Sequence, residues 1–304
     1  MLKAPKFWYT KKDSLYSNAL YPFSLLFRFG TKLRNFISVK KSSIVPTICV
    51  GNIVIGGAGK TPVSMKICKM LNTAGYKPHF ITKGYAGLIK KSTLVENWHS
   101  AISVGDESLL LAEIASTWIG TNRIKSSILA EKNGADCIIL DDGFQNPSIG
   151  KDFSIIVVDG EQEFGNKRVI PAGPLRESIR RGFDRTNVVI VIGNISNRLQ
   201  KLIPESIPIF KAKFKIKKEN EIFKGKNIIA FAGIAYPDKF FNTLEDQGAK
   251  IIEKISYSDH YIYNENDLLT LAEKANKTKS ILVTTRKDFV RIPKSYRPLI
   301  NTLD

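Results

Sequence analysis

Short apolar runs alternate with stretches of helical spacing from residue 46 onward. Thr47–Val50 is predicted as a strand, followed by a glycine-rich loop and by a helix over Pro62–Leu71 that ends before Gly75. Four more apolar runs are predicted as buried strands: Pro78–Ile81, Cys137–Leu140, Ile155–Val158 and Val188–Ile192. Strands separated by helices imply right-handed βαβ units, so we predict an α/β fold with a mostly parallel sheet and helices on both faces.

The pattern changes after Pro208. Residues 209–216 nearly alternate apolar residues with lysine, as in a half-exposed ribbon. Three later strands predict a smaller α/β domain: Asn227–Ala232, Lys250–Ile255 and Ser280–Thr284. We therefore divide the chain into an N-terminal segment (1–42), a core domain (43–205), and a ribbon linker with a smaller C-terminal α/β domain (206–304).

The N-terminal segment carries an amphipathic pattern. Apolar residues recur at helical spacing from Leu15 to Ile37, and polar residues such as Arg28 and Lys32 lie opposite them. A helix with a broad apolar face and flanking bases suits a membrane interface, and the alternative is a helix packed on the core. The apolar stretch is too short to cross a bilayer, and no cleavage-site pattern indicates a removed signal peptide.

Composition adds charge and compartment. The 304 residues carry a net charge of +18, and residues 1–41 hold nine Lys or Arg against one acidic residue. Such an excess attracts nucleic acid, anionic lipid or a phosphorylated substrate, although a Lys-rich genome would also produce it. The three cysteines lie far apart in sequence, and two of them, Cys49 and Cys137, lie in apolar runs. This favours buried thiols in a reducing cytosol over disulfides or a metal framework.

A candidate phosphate-binding loop reads VIGGAGKTP over residues 54–62. Its glycines let backbone N–H groups turn towards phosphates, Lys60 would reach the β- and γ-phosphates, and the Thr61 hydroxyl would bind Mg²⁺. Val54 stands where the P-loop pattern has its first glycine, and the alternative is a glycine-rich turn with a coincidental lysine. The predicted nucleotide-binding residues are Val54, Ile55, Gly56, Gly57, Ala58, Gly59, Lys60 and Thr61.

Four further residues are candidates for chemistry. Asp141 and Asp142 follow an apolar run, where they could hold Mg²⁺ or simply be loop aspartates. Asp106 precedes a helical pattern, and local sequence favours a helix N-cap over a base for an acceptor hydroxyl. His260 is one of three histidines, and a lone histidine is more often structural. The residues alone therefore indicate a Mg-nucleotide enzyme without naming its acceptor.

Eight stretches, taken together and in order, resemble one family. They are VGNIVIGGAGKTP, TKGYAG, VGDESLLLA, DDGFQ, FGNKRVIPAGPLRE, FAGIAYPDKFFNTL, YSDHYIY and TTRKDFVR. The matches run in order from about residue 46 to 292, and the set resembles the tetraacyldisaccharide 4′-kinases, the lipid A 4′-kinases of Gram-negative bacteria. The loop of that family also lacks the first glycine, so Val54 is consistent with the resemblance.

The resemblance implies transfer of the γ-phosphoryl group of ATP, with Mg²⁺, to the 4′-hydroxyl of tetraacyldisaccharide 1-phosphate to form lipid IVA. It implies a P-loop NTPase-like core joined by a two-stranded ribbon to a smaller α/β domain. It also implies a peripheral enzyme on the cytoplasmic face of the inner membrane. Its partners would be the acylated lipid and an anionic membrane surface, towards which each basic residue contributes about 1 kcal/mol. No nucleic-acid partner and no obligate protein partner are expected.

The resemblance also assigns roles by motif. Lys60 and Thr61 would bind phosphate and Mg²⁺, and Asp106 would be the base, with His260 as its partner from the second domain. The remaining assignments are Asp141, Asp142 and Gln145 beside the metal and phosphates, and Arg123, Arg176 and Glu177 lining the substrate site. Two residues depart from the family pattern: Asn146 replaces the usual histidine after DDGFQ, and Lys167 replaces the last glycine of FGNG.

Two other classes of function compete with this interpretation. One is a P-loop kinase with a soluble small-molecule acceptor, against which the amphipathic N-terminus argues. The other is a nucleic-acid-binding ATPase, which the charge alone would permit. That class predicts exposed aromatic residues interleaved with bases as a stacking platform, and the sequence offers no convincing example.

Overall fold

The computed structural model describes residues 4–10, 14–215 and 223–303, and it contains two sheets. The large sheet has the order β3-β4-β2-β5-β1-β6-β7-β8, parallel throughout except for the β3–β4 pair. Its strands are β1 (Thr47–Gly51), β2 (Pro78–Thr82), β3 (Thr93–Leu94), β4 (Thr117–Ile119), β5 (Cys137–Asp141), β6 (Phe153–Asp159), β7 (Val188–Ile192) and β8 (Ile209–Ala212).

Helices cover both faces of the large sheet, which explains why its central strands are continuous apolar runs. The helices of the large-sheet unit are α1 (Leu15–Ile37), α2 (Lys60–Thr73), α3 (Ala101–Val104), α4 (Asp106–Ala112), α5 (Arg123–Lys132), α6 (Ile179–Phe183) and α7 (Asn197–Gln200). Because β1 lies beside β5 in parallel register, the loop after β1 and the residues after β5 meet at the same edge of the sheet.

The small sheet is wholly parallel, with the order β10-β9-β11-β12. Its strands are β9 (Asn227–Ala232), β10 (Lys250–Ser256), β11 (Ile281–Thr285) and β12 (Ile300–Leu303), and its helices are α8 (Pro237–Asp246), α9 (Glu265–Thr278) and α10 (Arg286–Phe289). Segments that follow β10 and β11 contact α4 of the large-sheet unit. The predicted α/β class, with a mostly parallel sheet and a smaller C-terminal sheet, is confirmed.

One predicted segment differs in the structure. Ile209–Ala212, which we predicted as the start of the connecting ribbon, pairs in parallel with β7 as the edge strand of the large sheet. A half-exposed edge strand has the same alternation of apolar residues and lysine as a ribbon, so the pattern could not distinguish them. Ile216, the last residue of the predicted ribbon, lies outside the described residues.

Helix α1 docks on the protein through a narrow polar stripe. Ser17 Oγ donates to the carbonyl oxygen of Ala172 at 2.6 Å, and Ser24 Oγ donates to that of Val169 at 2.7 Å. The apolar side of the helix points away from the protein and is exposed, with Leu26, Phe29, Leu33 and Phe36 47–88% accessible. In the described part of the chain, no helix has the length and apolarity needed to span a membrane.

Candidate active site

The loop between β1 and α2 has the geometry of an anion-binding site. Gly56 and Gly59 adopt φ values of 119° and 79°, a region that favours glycine, and Gly59 precedes the first turn of α2. The Lys60 Nζ atom lies 3.2 Å from the carbonyl oxygen of Gly56 and 3.8 Å from Asp142 Oδ1. The loop thus combines a lysine with the positive end of a 14-residue helix.

Val54 lies at the entrance of this loop. It forms an isolated antiparallel bridge with Leu175, and the N–H of Ile55 donates to the carbonyl oxygen of Pro174 at 2.8 Å. These contacts join the start of the loop to the PAGPL stretch. Both glycines with positive φ lie after this point, so a β-branched residue at 54 is accommodated without strain in the loop.

Asp141 is buried behind the loop, with 1% of its surface accessible. Thr61 Oγ1 donates to its Oδ2 at 3.1 Å and Ser64 Oγ donates to its Oδ1 at 2.7 Å. Burial raises the pKa of Asp141 to about 7, and the nearby charge of Glu107 acts in the same direction. In the described ranges no basic side chain forms an ion pair with this carboxylate, so a cation would offset its desolvation.

The donor set around Asp141 fits Mg²⁺. Carboxylate and hydroxyl oxygens are the ligands that this ion prefers, and P-loop proteins hold it between the loop Ser/Thr and an aspartate after a neighbouring strand. Across the described chain, no group of three or more Cys, His, Asp or Glu side chains could hold a metal by itself. Thr61 and Asp141 would therefore share the ion with nucleotide phosphates and water.

The raised pKa of Asp141 predicts a pH-dependent stability. The native state binds more protons than the unfolded state between about pH 4 and pH 7, so unfolding becomes easier as the pH rises through this range. Without nucleotide and with EDTA present, Asp141→Asn should raise the melting temperature by at least about 3 °C at pH 8 but not at pH 5. Thermal unfolding at both pH values measures this effect.

Asp142→Asn is the matched control. Although burial alone would raise its pKa, Lys60 and Arg176 hold the pKa of Asp142 below its ordinary value. Its ionised form therefore stabilises the fold above the ordinary pKa, and its neutralisation should lower the melting temperature at pH 8. Equal destabilisation by both substitutions at pH 8 would contradict the assigned environments.

Asp142 belongs to a polar network that joins the DDGFQ and PAGPLRE stretches. The Nη1 atom of Arg176 donates to Asp142 Oδ1 at 2.9 Å and to Gln145 Oε1 at 3.1 Å. Gln145 Nε2 donates to Glu177 Oε1 at 3.1 Å, and Arg185 pairs with Glu177. The structure thus brings Asp142, Gln145, Arg176 and Glu177 together beside the loop.

Arg123 stands apart from this network. It is the first residue of α5 and is buried, and its Nη1 atom donates to the carbonyl oxygen of Gly120 at 2.8 Å. Burial lowers its pKa, while the charges of Asp142 and Asp141 oppose that shift. Within the described ranges no hydrogen bond or ion pair joins it to Arg176 or Glu177.

Asp106 and His260 meet although 154 positions separate them. His260 Nδ1 lies 2.9 Å from Asp106 Oδ2, and Arg291 Nε donates to the same oxygen at 2.8 Å. Asp106 is the first residue of α4, and Gly105 in the N-cap position makes no side-chain cap, so Asp106 is not the N-cap that local sequence favoured. Burial would raise its pKa, but the hydrogen bond from His260 and the charges of Lys287 and Arg291 hold the pKa of Asp106 well below its usual range.

The charge of Asp106 fixes the tautomer of its partner. An ionised carboxylate only accepts hydrogen bonds, so Nδ1 of His260 carries the proton and Nε2 has a free lone pair in the neutral ring. The His260 backbone has a φ of 59°, and its ring lies 5.6 Å from that of Tyr85. The pair can therefore orient one imidazole nitrogen towards an acceptor hydroxyl.

Sequence reasoning missed the residues that connect the two sheets. Lys287 Nζ lies 3.0 Å from Glu107 Oε1, Arg286 pairs with Glu113 at 2.7 Å, and Arg291 binds Asp106. All of these residues except Glu113 belong to the motifs TTRKDFVR and VGDESLLLA, whose contact with each other was not predicted. Their opposite charges were the available signal for a contact between them.

The structure shows the local setting of the two departures from the family pattern. Asn146 Oδ1 accepts hydrogen bonds from the N–H and the hydroxyl of Ser148 at 2.8 and 2.7 Å, which closes a turn. Lys167 has a φ of 61°, in the region that favours glycine, and its N–H donates to the carbonyl oxygen of Phe164. The Asn146 side chain therefore stabilises the turn that it belongs to.

Comparison with known proteins identifies close similarity over nearly the whole chain. Residues 16–302 match the family model LpxK, tetraacyldisaccharide-1-P 4′-kinase. The tetraacyldisaccharide 4′-kinase of Rhodospirillum rubrum is 39% identical over 307 residues, covering 99% of this chain and 92% of that protein. The enzyme of the same name from Paramagnetospirillum magneticum is 40% identical, with coverages of 99% and 93%.

A solved structure shares the fold. The crystal structure of LpxK from Aquifex aeolicus in complex with ATP superposes with a TM-score of 0.74 and 25% sequence identity. The match covers 95% of this chain and 94% of that one.

Proposed function

Because the chain belongs to the tetraacyldisaccharide-1-phosphate 4′-kinase family, we propose that its phosphate loop binds ATP and that its Asp106–His260 pair activates the 4′-hydroxyl of the lipid. The protein is a phosphotransferase of lipid A biosynthesis. The residue assignment rests on the 2.9 Å contact between His260 Nδ1 and Asp106 Oδ2. The two residues belong to different sheet units. The pair lies near the phosphate loop, since the charge of Glu107, the residue next to Asp106, is close enough to Asp141 to raise the pKa of that carboxyl group.

The phosphate loop positions the donor. Lys60 and the first-turn N–H groups of α2 bind the β- and γ-phosphates, and Arg176 adds a second positive charge beside Asp142. Thr61 and Asp141 would hold Mg²⁺, which supplies charge neutralisation on the phosphate oxygens when bound. The relative from Aquifex aeolicus was crystallised with ATP, which supports this nucleotide as the donor.

On the acceptor side, the 4′-hydroxyl group loses its proton. The 4′-oxygen forms a bond to the γ-phosphorus, the bond from that phosphorus to the β,γ-bridging oxygen breaks, and ADP leaves with the bridging oxygen. The hydroxyl proton passes to the pair. We expected Asp106 to be the base. Its Oδ2 already binds His260 and Arg291, so the contacts favour His260 Nε2 as the accepting atom and Asp106 as the group that orients it.

A label-transfer assay tests this function and its alternative. Purified protein is incubated with γ-labelled ATP and either tetraacyldisaccharide 1-phosphate in detergent or the same disaccharide without acyl chains. We expect label in the acylated product, with little in the deacylated sugar. Equal transfer to both would favour a kinase with a soluble small-molecule acceptor. Label released only as inorganic phosphate would contradict the proposal.

The lipid substrate requires a membrane site, and α1 provides the surface. The helix buries Ser17 and Ser24 against the protein and leaves a row of leucine and phenylalanine side chains accessible. Lys6, Arg28 and Lys32 belong to the basic N-terminal segment, while Lys3, Lys11 and Lys12 lie outside the described residues. An exposed apolar face next to bases supports binding to an anionic surface, which we place at the cytoplasmic face of the inner membrane.

Replacing three apolar residues of this face should weaken membrane binding. We expect the triple variant Leu26→Ser, Phe29→Ser, Leu33→Ser to bind anionic vesicles at least about tenfold more weakly, because each side chain contributes up to about 1.5–3 kcal/mol on burial. Vesicle sedimentation measures the binding, and activity on detergent-dispersed lipid should persist.

The control changes three exposed apolar residues on other elements, which are 46–50% accessible: Ile128→Ser, Ile252→Ser and Leu269→Ser. Vesicle binding by this control should equal that of the parent protein. If both triple variants bind vesicles like the parent, α1 is not the membrane-binding element.

A further inference from the structure

Arg291 is a buried arginine that reaches from one sheet unit to the other. It follows α10, and its side chain is fully inaccessible to solvent. Its Nε and Nη2 atoms lie 2.8 and 2.6 Å from Asp106 Oδ2, the oxygen that also contacts His260. A buried guanidinium thus lies against one member of the pair that we propose for proton removal.

The other side of the same guanidinium is linked to His260, the second member of the pair. Arg291 Nη1 donates to the carbonyl oxygen of Gly233 at 2.7 Å, and the backbone N–H of His260 donates to that carbonyl at 3.0 Å. One carbonyl therefore holds both the arginine and the histidine backbone. That backbone has a φ of 59°, which a histidine retains only when its surroundings hold it.

Asp288 keeps the arginine in place. Its Oδ1 accepts from Arg291 Nη1 at 3.0 Å, from the N–H of Gly233 at 2.8 Å and from the hydroxyl of Tyr263 at 2.9 Å. Asp288 is fully buried. Since a guanidinium is planar with fixed donor directions, anchoring Nη1 on this side fixes the direction in which Nε and Nη2 point on the other.

We propose that Arg291 is a positioning residue for phosphoryl transfer: it aligns the Asp106 carboxylate with His260 across the two sheet units so that the pair can accept the 4′-hydroxyl proton. The proposal rests on the proposed function of that pair. Arg291 contacts the carboxylate and the carbonyl behind the histidine, and its action is through those two groups. It also keeps Asp106 ionised, so that His260 retains a proton on Nδ1 and a lone pair on Nε2.

The charged surroundings of Asp106 predict the effect of removing the arginine. The charged and titratable groups that face the pair are Glu107 on α4, Lys287 and Arg291 from the α10 segment, His260 and Asp259 from the loop after β10, and Tyr85 against the imidazole. Loss of the Arg291 cation would raise the proton affinity of Asp106. The protonated pair cannot accept a proton, so activity would require a higher pH.

The test compares Arg291→Gln with two other variants in the label-transfer assay. Arg291→Gln should lower kcat at pH 7 by at least about tenfold, leave the KM for ATP unchanged, and shift the acid limb of the kcat–pH profile to higher pH. Arg291→Lys retains the charge and should recover a large part of kcat with the wild-type acid limb. Arg286→Met removes another cation that crosses to the large-sheet unit, at Glu113, and should leave kcat and the profile near those of the wild type.

Several outcomes would overturn the proposal. A kcat for Arg291→Gln within about threefold of the wild type, with an unchanged pH profile, would do so. An equal loss of kcat in Arg291→Gln and Arg286→Met, with no shift of the acid limb, would show that Arg291 only holds the two sheet units together. If Arg291→Gln does not fold, the double variant Arg291→Gln, Asp288→Asn removes the unpaired second charge, and the same two measurements decide. Failure of the proposed function is distinguishable, because His260→Ala would then retain full activity.

Discussion

Lys60→Ala is expected to lose most phosphoryl transfer while the protein remains folded. Lys60 supplies the positive charge of the phosphate loop, where negative charge accumulates as the γ-phosphoryl group moves. Removal of one preorganised electrostatic contact to a transition state costs about 10²–10³-fold in kcat, and we expect at least this loss. The measurement is kcat in the label-transfer assay, together with the melting temperature.

The fold should tolerate this change because the contacts of Lys60 are few and replaceable. Its Nζ atom lies 3.8 Å from Asp142, which Arg176 also binds at 2.9 Å. Lys66→Ala, on the exposed side of α2, is the control and should keep the parent activity. A Lys60→Ala variant with a kcat near that of the parent would show that the loop does not take part in phosphoryl transfer.

Asp106→Asn and His260→Ala should each lower kcat by about 10²–10⁴-fold, the usual range for loss of general-base assistance. An asparagine at 106 keeps the shape of the side chain, but its amide lacks the negative charge that holds the proton on Nδ1 of His260. The KM for ATP should change little, because neither residue belongs to the phosphate loop. Steady-state kinetics with both substrates varied provides these values.

His99→Ala is the control for loss of a buried histidine. His99 Nδ1 accepts a hydrogen bond from the N–H of Glu96 at 2.9 Å, in a turn that precedes α3. This substitution should lower the melting temperature and leave kcat near the parent value. A comparable kcat loss in His99→Ala and His260→Ala would mean that the assay reports stability and not chemistry.

Much of the fold follows from local pattern. The central strands of the large sheet are buried on both faces, so each is an uninterrupted apolar run that can be recognised in the sequence. In the small sheet, β9 has the predicted bounds, Asn227–Ala232. β3 and β4 have two and three residues, too few for a pattern to emerge. β12 was missed for the same reason, since its four residues include Asn301 and Thr302.

The active site was predictable in one half only. The loop at 54–61 and Asp141 could be linked from sequence because parallel strands place the residues that follow them at one edge of the sheet. The Asp106–His260 contact crosses two units, and no periodicity reports such a contact, so it came from the resemblance. Arg291 was missed because a buried arginine and an exposed one have the same local sequence pattern.

The docking of α1 shows a further limit. Helical spacing identified the apolar side of α1, but the usual assumption is that such a side faces the core. Here Ser17 and Ser24 bind carbonyl groups of the loop at 169–172, and the apolar side remains outside. Carbonyl groups left free by a loop are a tertiary feature, so the direction of docking could not be derived from the helix alone.

The central claim is that Asp106 and His260 act as one unit in removing the 4′-hydroxyl proton, and a double-mutant cycle on kcat tests it most directly. The four proteins are the parent, Asp106→Asn, His260→Ala and the double variant. If the residues act together, the double variant should be scarcely slower than the poorer single variant. Losses that multiply across the two substitutions would show independent roles and contradict the account.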